Sequence, residues 1–324
     1  MTRVAAIDCG TNSIRLLIAD VDHVAGVLTE VFRTMTVVRL GEGVDRTGTF
    51  SAEALERTFV AVDEYANACR DYQVEAIRFV ATSATRDVAN REVFIEGVRQ
   101  RLGIDLEVIS GVEEAQLSFR GATHSLATKH PGPYVVVDLG GGSTEIVVGD
   151  SDVVAAFSMD VGCVRMTERH CRSNPPTAAE MASLTSDVQA ALDDALVHVP
   201  VRQARTLIGL AGSITTVTAH TLGLQEYDSV AIHQTETPID ATMQACAELA
   251  SMTRAERAQL PYMHPGRVDV IGAGALVWAE VITRIRDEVA TTGYELRSVV
   301  TSEHDILDGV AWSAANPGRI EGPP

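Results

Sequence analysis

One pattern recurs in this chain and constrains its fold more than any other: an apolar strand runs into an Asp-x-Gly turn and out into a second apolar strand. It comes first as Val4-Ala5-Ala6-Ile7, Asp8-Cys9-Gly10-Thr11-Asn12-Ser13 and Ile14 to Ala19. It returns as Tyr134-Val135-Val136-Val137, Asp138-Leu139-Gly140-Gly141-Gly142-Ser143-Thr144 and Glu145-Ile146-Val147-Val148. Self-similarity about one domain length apart points to two related halves, expected here to face each other. At 324 residues the chain is comfortable for two cores of ordinary size. Lys129-His130-Pro131-Gly132-Pro133 is a natural connector, so the expected domains are residues 1–128 and 129–316, with a frayed Pro- and Gly-bearing tail at 317–324.

Around the first hairpin the pattern predicts a helix capped by Ser51, with Leu55, Phe59, Val62, Ala66 and Cys69 on one face. A strand over 76–81 ends in Thr82-Ser83-Ala84-Thr85-Arg86. A helix over 92–102, a strand over 106–109 and a helix after Ser110-Gly111 follow. This β–β–α–β–α–β–α order describes a mixed sheet covered by helices, an α/β architecture. In the second half Thr177 and Glu180 form a capping box ahead of Met181, Leu184, Val188, Leu192 and Leu196. A buried strand over 206–210 enters Ala211-Gly212-Ser213-Ile214-Thr215-Thr216. Helices over 240–251, 253–260 and 273–286, a strand over 297–300 and a helix over 303–315 complete the reading.

Composition narrows the function classes. Apolar residues at 46% and charged residues at 22% are globular values. Five scattered cysteines suggest free thiols in a reducing compartment, and the Cys163, His170, Cys171 spacing matches no zinc pattern. Asp8 interrupts the only early apolar run, and 270–282 is too short to span a bilayer and contains Glu280, so a soluble cytoplasmic protein without membrane contact is expected. A net charge of −18 argues against nucleic acid as a partner. A polyanionic substrate would then need locally gathered positive charge. Lys129 is the single lysine among 26 basic residues; arginine suits bidentate phosphate contacts, and a genome bias explains the count equally well.

The chemistry-bearing residues sit at the turns. Gly-rich hairpin turns let a backbone approach an anion and present successive N–H groups to it. Asp8 and Asp138 would repel phosphate unless a hard cation such as Mg²⁺ bridges them, and Glu145 is close enough to share the ion with Asp138; an outward-facing strand carboxylate is the plain alternative. Ser110 and Glu113 have capping-box spacing, which explains Glu113 but not Glu114. In the first helical turn after a strand, Glu114 could deprotonate a water for in-line attack on phosphorus, or be a dipole-stabilised surface carboxylate. Arg86 closes a strand-end loop as a candidate phosphate clamp. Arg15 and Ala211 to Thr216 are open to both a phosphate-contact and a structural reading.

Taken together, these motifs resemble the exopolyphosphatase/guanosine pentaphosphate phosphohydrolase (Ppx/GppA) family. The similar stretches are residues 8–13, Ser110-Gly111-x-Glu113-Glu114-Ala115 and residues 138–145, together with Thr82-x-x-x-Arg86, Gly162-Cys163-Val164-Arg165, Ala211-Gly212-Ser213 and 302–309. The resemblance implies two ribonuclease-H-like domains of the actin-like, sugar-kinase and Hsp70 ATPase superfold, with an interdomain cleft. It implies Glu114 as catalytic base, Asp138 and Glu145 as Mg²⁺ ligands, and Asn12, Ser13, Arg86, Gly141, Gly142 and Ser143 as the phosphate grip; Asp8 is a further metal candidate from its place at the first turn alone. A homodimer is a family expectation. Thr11 stands where Ser is common and Arg15 where His is frequent. The extra C-terminal helical domain of long members is not seen, which points to the short two-domain form and to short chains.

Three functions compete at this stage. The first is hydrolysis of the terminal phosphate of inorganic polyphosphate, with the 5′ γ-phosphate of guanosine pentaphosphate as the alternative substrate. An ATP-dependent sugar or acetate-type kinase would use the same first turn but has no need of Glu113-Glu114. A non-catalytic sensor of guanosine tetra- or pentaphosphate has no need of the carboxylates.

Overall fold

In the computed structural model, which describes residues 1–124 and 129–314, the duplicated hairpins lie at the centre of two separate sheets. The expected tail at 317–324 and the last residue of the final predicted helix lie outside the described residues. The first sheet contains β1 (Thr2–Cys9), β2 (Ser13–Asp22), β3 (Val27–Val37), β4 (Ala76–Ala81) and β5 (Glu107–Val108), in the order β3-β2-β1-β4-β5. β2 pairs antiparallel with β1 and β3, while β4 pairs parallel with β1 and β5. The second sheet contains β6 (Tyr134–Leu139), β7 (Thr144–Gly149), β8 (Val153–Met159), β9 (Thr206–Leu210), β10 (Thr235–Pro238) and β11 (Ser298–Thr301), in the order β10-β11-β9-β6-β7-β8. Outward from the hairpin, β8-β7-β6-β9-β11 repeats the pairing senses of the first sheet, and β10 adds an antiparallel edge. Both units are therefore ribonuclease-H-like α/β domains. The third strands, β3 and β8, go beyond the sequence expectation.

The contacts divide the chain into Met1–Gly121 with the last helix from Ile306, and Ala122–Asp305. In the first unit, strand alternation sends Ala5, Ile7, Leu16 and Phe79 to one face and Val4, Ala6, Leu17 and Val80 to the other. The first face is covered by α1 (Ala52–Asp71) and α2 (Arg91–Leu102); Ser51 caps α1, its side chain accepting from the Ala54 N–H at 3.1 Å. The second is covered by Leu117 of α3 (Gly111–Thr123) and by Ile306, Leu307, Val310 and Ala311 of α9 (Ile306–Ala314). A division at 128/129 assigns α9 to the second half; its apolar side instead packs on the first sheet. There Gly309 approaches the Leu117 carbonyl so closely that a Cβ would overlap it.

The second unit has one large core shared by α4 (Cys163–His170), α5 (Ala178–His198), α6 (Ala211–Thr221), α7 (Ile239–Ser251) and α8 (Ile271–Ala290). The Thr177–Glu180 capping box is formed at the start of α5. The apolar stretch near 270–282 is the first part of α8, buried in this core with Trp278 at its centre, and no helix among the described residues is long and apolar enough to cross a membrane. The helix expected over 253–260 is a single turn, Arg254–Arg257. Arg257 turns inward and donates from Nε to the Leu249 carbonyl at 2.8 Å and from Nη2 to the Ala250 carbonyl at 3.1 Å, capping the end of α7.

Candidate active site

The two Asp-x-Gly turns close identically. The Gly10 N–H donates to the Ser13 carbonyl at 3.0 Å, and the Gly140 N–H donates to the Ser143 carbonyl at 3.0 Å. Each turn is also held from behind by its carbonyls. In the first, the Val38 and Arg39 N–H groups donate to the Asn12 carbonyl at 3.1 and 2.8 Å, and the Gly41 N–H to the Thr11 carbonyl at 2.8 Å. In the second, the Cys163 N–H donates to the Gly140 carbonyl at 3.0 Å, and the Val164 and Arg165 N–H groups to the Gly141 carbonyl at 2.9 and 3.1 Å. Arg165 Nε takes the Gly142 carbonyl at 2.7 Å. With the carbonyls turned back, the N–H groups face the other way. Among the described residues those of Gly141, Gly142 and Ser143 make no hydrogen bond, which is the geometry of an anion nest. The segment Gly162-Cys163-Val164-Arg165 is the clamp behind the nest. Burial pushes the Cys163 thiol up, against the smaller pull of a hydrogen bond from Ser213, so the clamp carries no thiolate.

Across the first hairpin Asp8 faces Arg15. Arg15 donates from Nε at 3.0 Å and from Nη2 at 2.6 Å to Asp8 Oδ2. Arg15 thus sets a cation of the chain's own against Asp8 Oδ2. Across the second hairpin Asp138 faces Glu145, so two carboxylates oppose each other on one face of the sheet. Both are buried, and Ser158 on β8 donates to Glu145 Oε1 at 2.6 Å. Ser158 was invisible to sequence reasoning because its strand was.

These donors fit Mg²⁺. The ion takes one or two carboxylates, prefers oxygen and keeps several waters, and like charges placed directly opposite are destabilising without it. No cluster of three or more His, Cys, Asp or Glu able to cage a metal occurs among the described residues, and the five cysteines are free thiols.

Glu114 lies in the first turn of α3, where helix geometry favours an acid. It is buried, and its Oε2 accepts from Arg86 Nη1 at 2.7 Å. Arg86 ends the single turn Ser83–Arg86 after β4, and its Nη1 also donates to the Ile109 carbonyl at 3.1 Å. The structure therefore joins the candidate clamp to the candidate base. Asn12 and Ser13 stand half-buried at the first turn of the same unit. The Ser110–Glu113 capping box is only half made. Ser110 Oγ accepts from the Glu113 N–H at 3.2 Å, but the Glu113 carboxylate goes to Arg78 Nη2 at 2.7 Å instead of returning to the cap.

The stretch Ala211 to Thr216 opens α6, with Ala211 in the left-handed region at φ 70°. Its small residues are explained by close neighbours. A Cβ on Gly212 would strike the Arg267 guanidinium, and Arg267 Nη1 donates to Thr216 Oγ1 at 3.1 Å. The nearby Tyr227 hydroxyl donates to Glu303 Oε1 at 2.6 Å, and burial, followed by the Glu303 charge, pushes it up to about 12. Arg267 and Tyr227 stand in no motif and come together only through the fold.

Comparison with known proteins matches residues 17–303 to the Ppx/GppA phosphatase family. The chain belongs to this family. As a Ppx/GppA protein it is 49% identical over 322 residues to exopolyphosphatase 2 of Mycobacterium tuberculosis, covering 97% of this chain and 99% of that one. Similarity to guanosine-5′-triphosphate,3′-diphosphate pyrophosphatase of Vibrio atlanticus is 37% identity over 175 residues, covering 54% of this chain and 34% of the relative. The fold superposes on a Ppx/GppA enzyme of Aquifex aeolicus with a TM-score of 0.78 at 28% identity, covering 96% and 99% of the two chains. The TM-score to an exopolyphosphatase-like crystal structure is 0.93 at 45% identity, covering 98% and 99%.

Proposed function

We propose that this Ppx/GppA protein is an exopolyphosphatase, which removes the terminal phosphate of inorganic polyphosphate by in-line attack of water. The observation that carries the mechanism is the buried Glu114 carboxylate held on Arg86. A carboxylate at that place can accept the proton of the attacking water. A guanidinium has five N–H donors, so Arg86 can hold Glu114 and a phosphate oxygen together. In this reading Asn12 and Ser13 complete the grip in the first unit, and the N–H groups of Gly141, Gly142 and Ser143 receive phosphate oxygens in the second. Asp138 and Glu145 would hold Mg²⁺, which when bound offsets the charge of the phosphates. Asp8 serves as the anchor of Arg15. Polyphosphate is preferred to guanosine pentaphosphate because the exopolyphosphatase relative matches along almost its whole length, while the guanosine pentaphosphate enzyme of Vibrio atlanticus matches along about a third. Free cysteines accord with a cytoplasmic setting, and a homodimer is the expected assembly, open to test by light scattering.

The decisive measurement is Mg²⁺-dependent phosphate release from polyphosphate, guanosine pentaphosphate and ATP side by side. Glu114→Gln is expected to retain substrate binding and lose about a thousandfold in turnover. Arg86→Ala is expected mainly to weaken binding. Near-normal turnover by Glu114→Gln removes Glu114 as the base. Faster release from guanosine pentaphosphate reassigns the substrate, and turnover only with an added acceptor favours a kinase.

A further inference from the structure

We infer that Arg78 is a positioning residue for catalysis, setting the direction of Glu114 through its neighbour Glu113; this rests on Glu114 being the base. Arg78 lies on β4, opposite Ala6 of β1, and its side chain is 11% exposed. One guanidinium there joins four elements. Nη2 pairs with Glu113 Oε1 of α3 at 2.7 Å and with Glu107 Oε2 of β5 at 2.7 Å, and Nη1 donates to Ser313 Oγ of α9 at 2.7 Å.

Glu113 and Glu114 are consecutive in the first turn of α3, so their side chains leave the helix about 100° apart. Glu113 is held by Arg78, and Glu114 by Arg86 at the turn that follows the same strand. The helix start is thus gripped at two azimuths from a single stretch of chain. Fixing the first azimuth fixes the rotation of the turn, and with it where the Glu114 oxygens point. The contact accounts for the unfinished capping box: a carboxylate spent on closing its own cap could not register the helix against β4. α9 supports the same helix from another side, with Gly309 packed on the Leu117 carbonyl.

A merely structural arginine would, when removed, lower melting temperature and leave kinetic constants alone. A positioning residue lowers kcat with KM nearly unchanged, because a shift of about 1 Å at the base costs up to about a hundredfold. Arg78→Met and Glu113→Gln are the variants, assayed for phosphate release from polyphosphate beside wild type and Glu114→Gln. The expected result is a tenfold to hundredfold fall in kcat for Arg78→Met, a smaller fall for Glu113→Gln, KM within about twofold, and partial rescue by Arg78→Lys. The double variant should be no slower than Arg78→Met alone, because both act through one contact. Unchanged kcat in Glu113→Gln, a KM effect alone, or additive losses in the double variant would overturn the inference. Glu113→Gln carries the test if Arg78→Met does not fold, since it keeps the side chain's shape while removing the charge that Arg78 holds. Equal turnover by wild type and Glu114→Gln would instead sink the assignment of the base, a result read before any Arg78 variant.

Discussion

The two hairpins of this protein pair their strands in the same sense, close their turns alike and begin them with an aspartate, yet the residue facing that aspartate differs. Asp8 looks across its hairpin at Arg15, and Asp138 looks across at Glu145. The first hairpin carries its own counter-ion as a side chain. The second sets two carboxylates opposite each other, a pair of the kind a hard cation suits. The residue facing the aspartate thus separates a turn with an ion pair inside it from one with two facing carboxylates. On two hairpins of like pairing, the facing residue gives different electrostatics.

The sharpest way to break this contrast is to remove the facing charge from the second hairpin. Glu145→Gln is isosteric and is expected to lower Mg²⁺-dependent turnover by at least about a hundredfold, measured as phosphate release across a Mg²⁺ titration. Stability should move the other way. Without metal, Glu145→Gln removes one of two facing carboxylates, so the metal-free protein should melt at a higher temperature than wild type and should lack the rise expected of wild type on adding Mg²⁺. A variant that still gains full thermal stabilisation from Mg²⁺ would remove Glu145 from the metal site.

The same operation on the first hairpin should have the opposite sign. Arg15→Met takes the guanidinium away from a buried carboxylate, at a cost of about 3 kcal/mol in denaturant unfolding. Asp8→Asn in the Arg15→Met background should recover most of that loss, since no buried charge is then left to balance. If Arg15→Met is neutral, the ion pair contributes nothing and the two hairpins are closer in character than their residues suggest.

Much of this was legible in the chain because it is local. Strand alternation and Gly-rich turns exposed both hairpins, and cap residues Ser51 and Thr177 marked two helix starts that the structure forms. What escaped depends on contacts distant in sequence. α9 reads as a helix, but nothing within it says which sheet it covers; that is decided by pairs such as Arg33 with Asp308 at 2.7 Å and Arg78 with Ser313. Ser158 and Arg267 carry no motif, and their roles exist only once β8 and α6 are in place. Glu113 is the instructive case, for its spacing correctly announced a helix start while its carboxylate serves a partner 35 residues away.

How each turn is held from behind should also set the hairpins apart. A Cβ on Gly162 would overlap the backbone of Gly141 and Gly142, which cannot yield without opening the nest. A Cβ on Gly41 would meet the Thr11 methyl group and, at 3.2 Å, the Ala84 Cβ. Gly162→Ala is therefore expected to cost about 3 kcal/mol and to weaken phosphate binding, and Gly41→Ala about 1–2 kcal/mol. Thr11→Ser removes only a methyl group, for about 1 kcal/mol by itself. In the Gly41→Ala background it removes the one overlap and leaves only the 3.2 Å approaches to the Thr11 and Ala84 Cβ atoms, so the double variant should be more stable than Gly41→Ala alone. Denaturant unfolding of the four variants decides the matter. A penalty at Gly41 that Thr11→Ser does not relieve would mean that the first turn, like the second, is limited by backbone and not by a side chain that can be exchanged.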